Sequence, residues 1–222
     1  MKSKKTFLIA VILFLLFAGF TAIVSFVDVQ PIGPEQSEIG LASINQFAFE
    51  RLGVHLIWYD ITDWLGVVAI LFAVGFSLLG LTQLIKRKSL LKVDYQILLL
   101  GVFYVIVIAA YIFFEYAIIN YRPIILHTNL EASYPSSHTM IVICIMVTAM
   151  IEFQRLFANR KTLRVILDSV SALIITVTVV GRMISGVHWF TDIVAGILLS
   201  AALVMLYYST VKFIAEKEDN TN

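Results

Sequence analysis

Two histidines, two arginines and an aspartate carry most of the chemistry this sequence can offer. In "HWFTD", His188 and Asp192 are spaced i and i+4, which on a helix places them on one face. A carboxylate bonded to one ring nitrogen fixes the tautomer and makes the other nitrogen the better nucleophile. The same pair could equally be an interfacial hydrogen bond or two metal ligands. In "YPSSH", a turn proline and Ser136 as N-cap lead through His138 into an apolar run, the pattern of a helix start. Free amides and the positive dipole end there favour phosphate. Serine hydroxyls add donors, and His138 could hand a proton to a leaving oxygen; an ordinary capped helix with an interfacial histidine would read the same way. Arg122 and Arg182 each offer a planar fork to phosphate oxygens, although single arginines near a membrane surface also meet lipid headgroups. Gly186, between Arg182 and His188, breaks the helix and leaves the backbone free to turn.

The elements that must position these residues are membrane spans. Of the 222 residues, 60% are hydrophobic and 14% charged, against roughly 45–50% and about 25% in soluble domains. The expectation is a single all-α domain over residues 1–222, an integral membrane helix bundle. Crossing a bilayer takes about 20 apolar residues, and spans are expected near 6–27, 64–85, 95–117, 138–157, 165–183 and 189–212. The first is longer than the roughly 7–15-residue core of a secretory signal, so it reads as an uncleaved transmembrane helix. The fourth and fifth are short apolar runs that reach full length only by including Glu152 or Asp168. These charges are expected to snorkel to the interface.

Lysines and arginines set the orientation. Lys2, Lys4 and Lys5, then Lys86, Arg87, Lys88 and Lys92, then Arg155, Arg160, Lys161 and Arg164, and finally Lys212 and Lys217 all fall on one side of this topology. The other side keeps only Arg51, Arg122 and Arg182. The positive-inside rule makes both termini cytoplasmic. The histidines, arginines and Asp192 then converge at the outer ends of helices, as an anion site would require. In the first outer loop, Leu41, Ile44, Ala48 and Leu52 have helical spacing, so an amphipathic surface helix is expected, as a plug or as a substrate gate. Trp58, Tyr59 and Trp64 are expected at the interface. The tail "EKEDNTN" reads as a solvated end, and His55 and His127 as interfacial. Cys144 is the single cysteine, so no intramolecular disulfide forms and helix packing is its expected role. No P-loop, Cys–His zinc spacing, paired-carboxylate metal motif or basic aromatic patch occurs. Neither metal, cofactor, nucleic acid nor an obligate protein partner is expected.

At these residues the chain resembles the type 2 phosphatidic acid phosphatase superfamily, whose signature is three ordered motifs. K-x6-R-P corresponds to "EYAIINYRP", ending at Arg122 and Pro123; P-S-G-H to Pro135–His138; and S-R-x5-H-x3-D to the stretch from Gly181 to Asp192. The resemblance implies a metal-independent phosphatase in which His188 attacks phosphorus to form a phosphohistidine and Asp192 orients it. His138 would protonate the leaving group and then help activate water. Arg122, Arg182, Ser136 and the Ser137 amide would hold the phosphate oxygens. Six spans and an outward-facing site fit bacterial cell-membrane members, which act on phosphatidylglycerol phosphate or undecaprenyl diphosphate at the outer leaflet. Three positions depart from the motifs. Glu115 stands in place of the lysine, Ser137 in place of glycine, and Gly181 in place of serine. An ionised Glu115 cannot bind phosphate oxygen; it would be protonated, or orient Arg122 at i+7, and so tune the substrate. A lipid phosphotransferase with the same intermediate is the nearest alternative. A phosphate-binding transporter is another, disfavoured because most spans lack unpaired polar residues at mid-depth.

Overall fold

The computed structural model describes residues 2–219. Among them are seven α-helices: α1 (Lys2–Phe26), α2 (Ala42–Leu52), α3 (Leu56–Arg87), α4 (Tyr95–Tyr116), α5 (Ser137–Leu156), α6 (Lys161–Ser185) and α7 (Phe190–Asp219). All but α2 are long and apolar enough to cross a membrane. The protein is therefore a multi-pass membrane protein with six candidate spans. Helices close their own backbone hydrogen bonds, which hydrocarbon requires. Leu15, Leu71, Val105 and Leu173 are exposed around the outside of the bundle, where lipid replaces water as their solvent.

Helices α5 and α7 form the buried centre. Met140, Cys144 and Ala149 from α5 pack with Ala195, Leu199, Leu203 and Tyr207 from α7; Cys144 is a free, buried thiol that serves packing. Helix α1 lies along α7, and α5 touches α3, α6 and α7. The Ser3 amide donates to Glu216 Oε1 at 3.1 Å, which brings both ends of the described chain to one end of the bundle. The segments leading into α5 and α7 lie at the opposite end.

Three expectations change. Helix α3 begins at Leu56, about two turns before residue 64, because Asp60 and Asp63 lie inside it instead of ending it. Trp58, Tyr59 and Trp64 thus lie in the first turns of this helix, with Trp64 72% exposed on its outer face. Glu152 does not snorkel: it is buried and accepts from Tyr207 Oη at 2.8 Å and Arg155 Nη2 at 2.9 Å, so partners inside the bundle replace the interface. Helix α2 forms, but its packed face is turned from the expected one. Ala42 and Asn45 are buried while Ile44 is half exposed, because Asn45 donates to Thr191 Oγ1 at 2.9 Å and accepts from the Thr191 amide at 3.1 Å. The tail, expected to be a solvated end, continues α7 as far as Asp219 with Lys217 and Glu218 exposed; its residues 220–222 lie outside the described residues.

Candidate active site

The site begins where α5 and α7 start side by side. The Ser136 amide donates to the Asp192 carbonyl at 2.9 Å, and this bond ties the two helix starts together. Ser136 is the N-cap of α5: its hydroxyl accepts the Thr139 amide at 3.5 Å and donates to Thr139 Oγ1 at 3.0 Å. Ser137 and His138 occupy the first positions of the helix, whose amides have no intrahelical partner. Asp192 performs the matching task at α7. Its Oδ2 accepts the Trp189 amide at 2.9 Å and its Oδ1 accepts from Asn120 Nδ2 at 3.1 Å.

His188 stands in the turn between α6 and α7, ahead of the helix that contains Asp192. The helical i,i+4 relation expected of the pair is therefore not what joins them. Nδ1 of His188 donates to the Ser133 carbonyl at 3.1 Å, and Asp192 Oδ2 lies 3.7 Å from the same nitrogen. A carbonyl accepts only from a protonated nitrogen, so Nδ1 carries the proton and Nε2 keeps its lone pair. Nε2 faces Arg122 Nη1 at 3.5 Å. Burial pushes the imidazole down to about 4; Asp192 opposes that shift and the Arg122 charge adds to it. At neutral pH His188 is an uncharged base with a defined free nitrogen. The turn that carries it depends on Gly186, which closes α6 at φ 71°, a conformation that favours glycine.

Arg122 lies in the irregular segment after α4. Its Nε donates to Glu131 Oε2 at 2.8 Å and its Nη1 to the Val187 carbonyl at 3.3 Å. Glu131 also receives His127 Nδ1 at 3.0 Å. Partial burial raises the Glu131 carboxyl, but His127 and Arg122 together outweigh it and hold the group below the usual range. His127, expected to be merely interfacial, is thus one bond removed from a site arginine. His55 is exposed, with its ring against the Leu52 carbonyl at 3.0 Å. Glu115 does not orient Arg122 through a helical i+7 relation. Helix α4 stops at Tyr116, and Glu131 holds Arg122 instead. Glu115 lines a small cavity together with Ser137 and His188.

Arg182 and His138 meet on the other side of Ser137. Arg182 is buried and lies over the Tyr59 ring, 4.8 Å from its centroid, a cation–π arrangement. Its Nη2 donates to Asp63, whose same oxygen is 3.0 Å from His138 Nε2. Nε and Nη1 of Arg182 are buried without a partner among the described residues. Helix α3 comes this close because two positions lack side chains. A Cβ on Gly181 would stand 2.6 Å from Thr62 Cγ2, and one on Gly66 3.3 Å from His138 Cδ2.

Two arginines, two histidines, Asp192, Ser136 and Ser137 are therefore gathered at one end of the bundle. Asp63, Asn120, Glu131 and the Ser133 carbonyl belong to the same assembly and were not singled out. Glu131 opens the stretch that ends in His138 and could have been flagged. Asp63 lies one residue ahead of the span expected at 64–85, inside the observed α3, and Asn120 carries no pattern at all. No group of three or more His, Cys, Asp or Glu among the described residues is placed to hold a metal ion.

From His138 and Asp63 a groove of about 320 Å³ runs down the side of the bundle between α3 and α5, lined further by Val67, Ile70, Ile141 and Val142.

The fold is similar to that in the "Crystal structure of the first transmembrane PAP2 type phosphatidylglycerolphosphate phosphatase from Bacillus subtilis". The TM-score is 0.62 at 16% sequence identity, over 92% of this chain and 96% of that one. No curated protein sequence matches at a significant level. A family model described as the PAP2 superfamily matches residues 93–215, more than half of the sequence and the part that contains both histidines and both arginines; the chain belongs to the PAP2 superfamily.

Proposed function

We propose that the protein hydrolyses the phosphate of a membrane lipid, phosphatidylglycerol phosphate and undecaprenyl diphosphate being the candidate substrates, at the extracytoplasmic face. The observation that carries this reading is the groove: one end is polar, at His138 and Asp63, and the remainder is apolar and opens on the side of the bundle. A soluble phosphate would gain nothing from such a wall, whereas an acyl or prenyl chain lies along it as it would in the bilayer.

The chemistry follows from the two rings. His188 Nε2, its lone pair fixed by the proton on Nδ1, attacks phosphorus; a P–N bond forms and the P–O bond to the leaving group breaks. His138 gives that oxygen a proton, and later takes one from the water that cleaves the P–N bond. Arg122 and Arg182 lie on either side of this line, and the Ser137 amide at the positive end of α5 faces the same space. Ser136 caps that helix and so keeps its first amides directed at the phosphate. Asp192 orients the His188 turn through the Trp189 amide and Asn120. A preorganised backbone donor such as the Ser137 amide contributes about 10²–10³ in rate. The arginines supply the positive charge, so the mechanism calls for no metal. The clustering of cations at the other end of the bundle supports cytoplasmic termini and an outward-facing site.

The test is phosphate release by the purified protein from each lipid in EDTA, repeated with His188→Ala. Release that survives EDTA and disappears in the variant is expected. Full activity in His188→Ala, or complete inhibition by EDTA, contradicts the reading. Release only on addition of an alcohol acceptor points instead to a phosphotransferase.

A further inference from the structure

We propose that Asp63 makes this a site for lipid phosphomonoesters in preference to lipid diphosphates. The proposal rests on the phosphatase reading above and narrows its substrate class. Asp63 lies on α3, outside the residues matched by the superfamily, so the shared motifs do not assign it.

The geometry puts its carboxylate where the leaving group must depart. One oxygen of Asp63 is bonded to Arg182 and stands 3.0 Å from His138 Nε2, against the ring that serves as the acid. The side chain is 42% exposed and lines the groove that receives the lipid. It is also held in place. Thr62, the preceding residue, packs where any side chain on Gly181 would collide, and Gly66 lies one turn along against the His138 ring.

The charges around the site sharpen the effect. Arg182 is already paired with Asp63, and Arg122 with Glu131. Glu115 lines the cavity beside His188, at the position where the family motif has a lysine. With Asp192 beside His188, two arginines thus face four carboxylates, so the surroundings do not supply the surplus positive charge that a diphosphate needs. With a monoester, the oxygen released from phosphorus takes the proton from His138 and departs as a neutral alcohol, which can donate a hydrogen bond to Asp63. With a diphosphate, the departing group is itself a phosphate monoester. It remains anionic after taking the proton and is formed next to the Asp63 carboxylate. Like charges about 4 Å apart near a protein surface repel by enough to cost about tenfold in rate or more.

The discriminating experiment uses substrates with one tail, farnesyl phosphate and farnesyl diphosphate, in detergent micelles. The ratio of their kcat/KM values is measured for the wild type, Asp63→Asn and Asp63→Glu. A ratio within one preparation does not depend on how much of a variant has folded. The wild type is expected to favour the monophosphate by tenfold or more, Asp63→Asn to reduce that preference about tenfold, and Asp63→Glu to keep most of it. An unchanged ratio in Asp63→Asn, or a wild type that favours the diphosphate, overturns the proposal and leaves phosphatase activity standing. Hydrolysis of neither compound, nor of the lipids above, removes the phosphatase reading itself.

Discussion

Nδ1 of His188 donates to the carbonyl of Ser133 at 3.1 Å, closer than the 3.7 Å that separates it from the Asp192 carboxylate. The tautomer of this histidine is therefore held by a backbone group contributed from the segment that leads into α5. Asp192 works largely through the backbone as well, by accepting the Trp189 amide.

This division of labour predicts a moderate effect for Asp192→Asn. In a serine-protease triad, where the aspartate alone fixes the tautomer, the same change costs about 10⁴ in kcat. Here the Ser133 carbonyl still orients the ring, and the expected loss in kcat is about 10–100-fold. A loss of 10⁴ would show that the carbonyl contributes little.

Burial holds His188 neutral down to about pH 4, against about 6.5 for a free side chain. The ring stays uncharged at every pH above its lowered value. Stability gained by keeping it neutral is complete above about pH 6.5 and is lost as pH falls towards 4. In nitrogen-15 spectra assigned with His188→Gln, its ring signals should remain those of a neutral imidazole at pH 5. Half-protonation near pH 6.5 would contradict the burial argument.

Glu131 sets the position of Arg122 through a 2.8 Å bond to Nε. Phosphate bound to Arg122 is held in the ground state and in the transition state alike, so loosening this arginine should act mainly on KM. Glu131→Gln is expected to raise KM about 3–10-fold, with a smaller change in kcat, because a charge-assisted bond becomes a neutral one. Unchanged KM would mean that Arg122 is held by Val187 alone.

Gly181 stands where the family motif has serine, and the close approach of Thr62 explains why serine does not fit here. Gly181→Ser should lower stability by about 1–3 kcal/mol, as overpacking of a tight helix contact does. Thr62→Ser removes the colliding methyl group and should restore part of that loss. Thermal unfolding in detergent reads both effects; a Gly181→Ser variant as stable as the wild type would contradict the packing.

How much of this could be read from the sequence depends on the kind of residue. Helices such as α1 and α4 follow from their unbroken apolar lengths, and the two histidines and two arginines from their spacing about helix ends. Asp63 was hidden because a carboxylate at the edge of an apolar run reads as the end of a span. Only its partners, 75 and 119 positions further along the chain, allow the helix to start before it. Glu152 departs from the snorkelling its charge suggests because Tyr207 and Arg155 satisfy it inside the bundle. The face that α2 buries depends on a hydrogen bond from Asn45 to Thr191, and apolar spacing does not record such a bond. Backbone partners such as the Ser133 carbonyl leave no residue-type signal whatever.

The central claim is that His188 Nε2 becomes covalently bound to the substrate's phosphorus. Rapid acid-free quenching of the protein with a phosphorus-32-labelled lipid phosphate, followed by digestion and peptide mapping, tests it most directly. The account predicts an acid-labile, alkali-stable label on the peptide that contains His188, missing in His188→Ala. Label on another residue, or label that persists in His188→Ala, would contradict it.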